Sequence, residues 1–342
     1  MTQIQAMDDN PSITGNRGRN RKTIWDRLHP YRFKLGTLSM LVALWLLFMG
    51  MSPETFGSGR IYLSLMTSIP FPAILALGLT LLIVSGEMDM SFPAIMAFSS
   101  YVFALTFSTT GIAGLALLAA LSAGASAGLV NALLVVRFGV PSIIATIGAQ
   151  FFWYGLATLL ADGMAISLVD IRDTALNSIL TGRLFGWLPM QAVWCVGLAI
   201  GASLLLHRHC FGDNIRFIGD NRETARMMGV PTAKTRTLLF VLMGVMSALV
   251  GVMVCSEMAS WWPTQGEGYM LLVFASVYIG GTSVFGGEGT LSGTLIGAII
   301  IGMIEAGIIA GGLSGFWTRM VYGLIVIASV SGYALVFKKT DR

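Results

Sequence analysis

Between residues 35 and 337 the chain is a succession of apolar runs, at roughly 35–50, 62–85, 92–110, 112–136, 140–161, 187–207, 237–256, 269–285, 290–312 and 316–337. A helix of about 17–25 apolar residues, rising about 1.5 Å per residue, crosses about 30 Å of hydrocarbon. Most of the runs reach that length. Charged residues make up only 11% of the 342, against about 25% in soluble domains. That is too few to coat a water-facing surface, and the 41 glycines suit helices that approach closely in lipid. Two-residue alternation is absent, which argues against a β-barrel. The reading is an all-α integral membrane protein of about ten transmembrane helices in one domain, 35–337, between a basic tail at 1–34 and a short tail at 338–342. Cys195, Cys210 and Cys255 show neither pairing nor metal spacing and read as inert buried thiols.

Charge sets the orientation. With ten crossings both termini share a side. If that side is cytoplasmic, it holds seven basic residues from Arg17 to Lys34, then Arg137, the six of the loop 208–236, and Lys338, Lys339 and Arg342. The outer side holds only Arg60, Arg172 and Arg183. Such a bias is the positive-inside signature, and it favours an even count of spans.

Three irregular segments interrupt the apolar pattern. Ser68-Ile69-Pro70-Phe71-Pro72 removes two backbone donors and predicts a broken helix. That helix ends in Gly86-Glu87-Met88-Asp89-Met90-Ser91, where two carboxylates need donors or water. Asp89 or Ser91 caps the next helix, or Glu87, Asp89 and Ser91 belong to a gate; both readings stand. Gly280-Gly281-Thr282-Ser283, continuing to Gly289, has too many glycines for a helix interior and marks a second junction. In the loop 208–236, Asp220 or Asn221 as N-cap, Gly229 beyond the C-cap and Pro231 as stop predict a helix of about two turns. A helix that short is marginal alone, so it docks on something: on its own bundle or, given its basic flanks, on a separate ATPase subunit. Gly219, Ala225, Met227 and Met228 belong to the same element. No G-x-x-x-x-G-K-[ST] occurs, so the chain has no Walker A loop of its own. No metal, catalytic or nucleic-acid site is read from the residues.

Three segments resemble the membrane permease of ribose-type ABC importers, the branched-chain amino acid/ribose/autoinducer permease family. Gly86, Asp89 and Ser91 match a G-x-I-D-L-S junction. Gly219-Asp220-Asn221 with Ala225 and Gly229 matches a G-x-N-x-x-A-x-x-x-G element. Pro263-Thr264-Gln265-Gly266-Glu267-Gly268-Tyr269, then Gly280-Gly281-Thr282-Ser283 and Gly286-Gly287, match P-T-x-G-x-G-Y…G-G-T-S-x-x-G-G. The last stretch departs at Met270 and Leu272, where the family often carries acidic residues.

The resemblance implies a type II importer-like bundle with inverted repeats, helices two to five against seven to ten, in a bacterial inner membrane. It implies a second permease subunit, a separate ATP-binding cassette ATPase and a periplasmic substrate-binding protein. The chain would bind no cofactor, ATP being used by the partner, and would perform no covalent chemistry. A monosaccharide is the implied cargo. The aromatic rings of Trp153, Tyr154 and Trp261 are candidates for a sugar path. Trp261 and Trp262, in the outer loop 257–268, are either a contact for the delivery protein or a belt anchor. Glu305 and Arg319 lie within spans, where a charge is costly, and an internal ion pair is favoured over substrate contact. The alternative class is an ion-coupled secondary transporter, needing mid-membrane carboxylates.

Overall fold

A computed structural model describes residues 32–338. The tails expected at 1–34 and 338–342 lie outside the described residues, apart from the helical backbone of 32–34 and 338. The helices are α1 (Arg32–Met51), α2 (Pro53–Phe56), α3 (Gly59–Ser68), α4 (Pro70–Val84), α5 (Phe92–Thr110), α6 (Ala113–Ala132), α7 (Ser142–Leu160), α8 (Ala175–Thr181), α9 (Met190–Arg208), α10 (Cys210–Asp220), α11 (Arg222–Met227), α12 (Thr232–Met258), α13 (Tyr269–Ile279), α14 (Leu291–Ala310) and α15 (Phe316–Lys338). A π-helical turn, Leu133–Arg137, prolongs α6. Two antiparallel pairs of very short strands complete the fold: β1 (Ile166–Ser167) with β4 (Ser260–Trp261), and β2 (Arg183–Leu184) with β3 (Leu188–Pro189).

Every apolar run of the sequence carries a helix. Among the described residues six helices are long and apolar enough to span a membrane, and α3 with α4, bent by 44°, makes a seventh. Shorter apolar helices cover Gly36–Met51, Tyr269–Ile279 and Phe316–Ser329. The bend falls where Pro70 and Pro72 occupy the start of α4, as expected for residues that cannot donate to the preceding turn. Gly111 ends α5 in the left-handed region, φ 68°, so the two runs that Thr110-Gly111 separates are distinct helices.

α4 is apolar all round except for Thr80, and every residue of it is buried, the signature of a central helix. α9, α12, α13 and α14 pack around it. One close crossing is α6 on α12. A Cβ at Gly124 would stand 2.4 Å from the Gly244 carbonyl oxygen, one at Gly128 2.3 Å from that of Phe240, and one at Gly244 2.1 Å from that of Gly124. Only glycine permits this backbone-to-backbone approach. Within the bundle, Thr80 and Thr294 join α4 to α14 through their hydroxyls at 2.8 Å. Outward, Leu118, Ile144, Phe151, Ile200 and Leu324 are exposed, so the exterior is apolar as a lipid-facing surface requires.

Three expectations are revised. The segment 208–236 is not a loop holding one short helix. α10 and α11 occupy it, split at Asn221, whose extended backbone (φ −159°, ψ 105°) ends one helix and starts the next. Cys210 is exposed, whereas Cys195 and Cys255 are buried. Trp261 is fully buried: its Nε1 donates to the Ala97 carbonyl at 3.0 Å and its ring meets Tyr101 edge-on at 5.1 Å. Register on β1 places Trp261 opposite Ile166, and the indole packs into the core, leaving the half-buried Trp262 as the outward ring of the pair.

Candidate functional site

The junction between α4 and α5 begins where Gly86, at φ 79°, turns the chain out of the helix. Glu87 then lies 3% exposed. Its carboxylate accepts from Arg222 of α11 and from Arg236 of α12, the latter at 2.6 Å. Arg236 is itself buried, its side chain 9% exposed, while Arg222 is half exposed. A carboxylate so deep is tolerated because two cations and their donors replace water. The Met88 amide donates to Ser142 Oγ at 3.2 Å and the Met90 amide to Thr146 Oγ1 at 3.0 Å, which attaches the junction to the first turns of α7.

Asp89 is wholly buried, and its Oδ1 accepts from the Ser91 amide at 2.7 Å and the Ser91 hydroxyl at 2.6 Å. Asn131 of α6 donates in turn to Ser91 Oγ at 2.7 Å. Asp89 therefore closes a turn ahead of α5 onto the Ser91 amide, and neither Asp89 nor Ser91 caps the helix with its side chain. Burial pushes the Asp89 carboxyl above its ordinary value, against the opposing hydrogen bonds from Ser91 and Asn131.

The other two irregular segments meet this junction. A Cβ at Gly219, in the last turn of α10, would lie 1.8 Å from the Val84 carbonyl oxygen and 2.5 Å from the Gly287 nitrogen. The Gly287 amide donates to that same Val84 carbonyl at 2.9 Å, satisfying a helix-end acceptor. Gly286 and Gly287 adopt φ 90° and 75°, which L side chains rarely reach. Asp220 faces Gly287: a Cβ there would lie 2.3 Å from Asp220 Oδ1. Thr282 and Ser283 are buried. The Ser283 amide donates to the Glu288 carbonyl at 3.0 Å and the Ser283 hydroxyl accepts from the Phe285 amide at 3.2 Å, so the glycine-rich run is an ordered reversal rather than a linker. Gly280 lies where α13 meets α14, and a Cβ on it would stand 2.5 Å from the Thr294 nitrogen. Gly281 turns the chain at φ 84°.

α11 is closed at both ends. Asn221 Oδ1 accepts from the Thr224 amide at 2.9 Å. At the other end Gly229, at φ 83°, lets its own amide reach Arg226 and the Val230 amide reach Ala225, each at 3.0 Å. Ala225 faces inward, 2% exposed, whereas Met227 and Met228 are 76% and 71% exposed. The helix is thus anchored through Ala225, Arg222 and the neighbouring Gly219, and presents two thioethers outward.

Glu305 and Arg319 do not form the expected ion pair. Among the described residues the ion pairs are those of Glu87. Glu305 accepts instead from the Tyr322 hydroxyl at 3.2 Å, and Glu305 and Arg319 line one cavity from α14 and α15. One turn of α15 separates Tyr322 from Arg319, and the phenol takes the carboxylate. Sequence reasoning missed Arg222 and Arg236, which counted only as orienting charges, and missed Asn131. Arg222 and Arg236 reach Glu87 across 135 and 149 residues and Asn131 reaches Ser91 across 40, separations that no local pattern signals.

A family model described as branched-chain amino acid transport system / permease component matches residues 61–330. The chain is 28% identical to the ribose import permease protein of Escherichia coli strain K12 over 82% of its own length and 87% of that protein. It is 31% identical to the L-arabinose transport system permease protein of the same strain, over 77% and 79%. It is also 31% identical to the ribose import permease protein of Bacillus subtilis, over 78% and 83%.

Proposed function

Because the chain belongs to the branched-chain amino acid transport system / permease component family, we propose that it is the membrane-spanning subunit of an ABC importer for a monosaccharide. In this reading it crosses the inner membrane ten times, as inverted repeats, with both termini cytoplasmic. A second permease subunit completes the path, an ATPase docks below and a periplasmic binding protein delivers above. ATP binding at the partner supplies the differential affinity that shifts the permease between outward- and inward-facing packings.

The observation that carries it is the meeting of three segments. The charge-derived topology assigns residues 86–91, 219–236 and 280–289 to one face, and they are in contact through Glu87, Arg222, Gly219 and Gly287. The same topology assigns 166–167 and 260–261 to the opposite face, and they pair. An offset of five spans pairs the 86–91 junction with the turn 257–268. Glu87 makes the cytoplasmic cluster a coupling device: a push on α11 reaches α4, α5 and α12 through one carboxylate. The test is reconstitution in proteoliposomes with the ATPase and binding protein of its system. ATP-dependent uptake of a pentose supports the reading. Uptake driven by a proton or sodium gradient without the ATPase supports the ion-coupled alternative and defeats it.

A further inference from the structure

Away from the Glu87 cluster lies a cavity of about 420 Å³, within the range of small-molecule sites, about 300–1,000 Å³. Its polar lining comes from distant parts of the chain: Gln150 and Tyr154 of α7, Glu267 of the turn before α13, Glu305 of α14, and Thr318, Arg319 and Tyr322 of α15. Three features there lack an explanation in the packing of a single chain. The Tyr154 hydroxyl is buried with no hydrogen-bond partner, which ordinarily costs about 1–3 kcal/mol. Glu305 and Arg319, both within apolar helices, are exposed rather than buried, and neither belongs to an ion pair among the described residues. Charges at such positions face water, a solute or another subunit rather than lipid.

The inventory of groups narrows the solute. Two carboxylates accept, one guanidinium donates, and an amide, two phenols and the Thr318 hydroxyl do both. A set so mixed suits a neutral molecule bearing several hydroxyls, each both donor and acceptor. With two carboxylates to one guanidinium it opposes an anion. The rings of Tyr154 and Tyr322 add apolar faces for the C–H surface of such a molecule. A polyhydroxylated solute would also give the Tyr154 hydroxyl its missing partner. We propose that this cavity is a transit site for a monosaccharide, with Glu305, Tyr154 and Gln150 as its principal hydrogen-bonding groups; this rests on the permease reading above and names where the cargo is held.

The experiment compares wild type with Glu305→Gln and Tyr154→Phe, both near-isosteric, and with Gln150→Ala. Each is reconstituted in proteoliposomes with the ATPase and binding protein of its system. Uptake of radiolabelled D-ribose, L-arabinose and L-leucine is measured beside ATP hydrolysis, as solute moved per ATP. Monodispersity in detergent and co-purification of the ATPase verify folding. Wild type should move a pentose, and Glu305→Gln and Tyr154→Phe should move at least tenfold less pentose per ATP while hydrolysis continues. Folded, assembled variants with a ratio within twofold of wild type would overturn the site and leave the permease reading intact. Leucine carried in place of either pentose would overturn the sugar assignment. Absence of ATP-driven uptake by wild type would remove the permease reading and this site with it. If Glu305→Gln does not fold, Tyr154→Phe and Gln150→Ala decide by the same ratio.

Discussion

Replacing Glu87 by Gln removes the one negative charge held between Arg222 and Arg236. The two arginines do not contribute equally. Arg222 is about half exposed, so its pairing is screened and counts for about 0–1 kcal/mol. Arg236 is buried, and a buried cation stripped of its partner costs about 3–5 kcal/mol. The loss on Glu87→Gln is therefore dominated by Arg236, at about 3–5 kcal/mol. Converted at the few degrees per kcal/mol seen for mid-sized proteins, this lowers Tm on the order of 10 °C. Arg222→Ala should lower it by no more than about 2 °C, yet should impair ATP-driven uptake more than its stability effect explains, because it cuts the link to α11. Glu87→Gln combined with Arg236→Gln should recover much of the stability, since no charge is then left buried alone. The assay is thermal unfolding of purified permease in detergent, followed by fluorescence, beside uptake in proteoliposomes. A Glu87→Gln variant melting within about 2 °C of wild type, or a double variant less stable than the single one, would refute the ranking of the two arginines.

Met227→Ala with Met228→Ala should leave stability within about 0.5 kcal/mol, as befits exposed positions, while reducing co-purification of the ATPase severalfold; undiminished capture in a pull-down would count against α11 as a docking element. Trp261→Ala should cost about 3–5 kcal/mol because the indole is buried and hydrogen-bonded, whereas Trp262→Ala should change binding-protein-stimulated ATP hydrolysis with little loss of Tm. Asp89 has a folded-state pKa raised above its ordinary value of 3.8, so its contribution to stability is greatest below that value and declines as pH rises through the raised pKa. Asp89→Asn should abolish that decline, and the gap in Tm between variant and wild type, measured from pH 4 to pH 8, should move in the variant's favour as pH rises.

The helices were legible because the solvent imposes a simple rule: about twenty apolar residues must be wound so that their own backbone satisfies itself. The proline break at 68–72 and the glycine turns at 86, 229 and 280–289 were legible because those residue types constrain φ locally. The pairing of charges was not. Glu87 finds cations 135 and 149 positions away, and nothing at residue 87 names them. Glu305 and Arg319 looked like natural partners because they lie on successive spans, but Tyr322, one turn further along α15, took the carboxylate. Trp261 looked like surface because its loop is short and polar-flanked. Its burial goes with the β1–β4 pairing, which sets Trp261 opposite Ile166, 95 positions away. The split of α10 from α11 at Asn221 was half visible: the cap was there to read, the preceding helix was masked by the charges around it.

The glycine contact of α6 with α12 has a mechanical consequence. Where backbones touch directly there are no long side chains to re-rotamer, so the two helices cannot slide or roll against each other without collision. They form a strut. In the proposed alternation, shape change is then confined to seams held by larger, softer side chains or open space. The 44° elbow between α3 and α4 is one, and the cavity lined by α7, α14 and α15 is another. A crosslink between α6 and α12 should leave the molecule working, while one across either seam should stop it in a single shape.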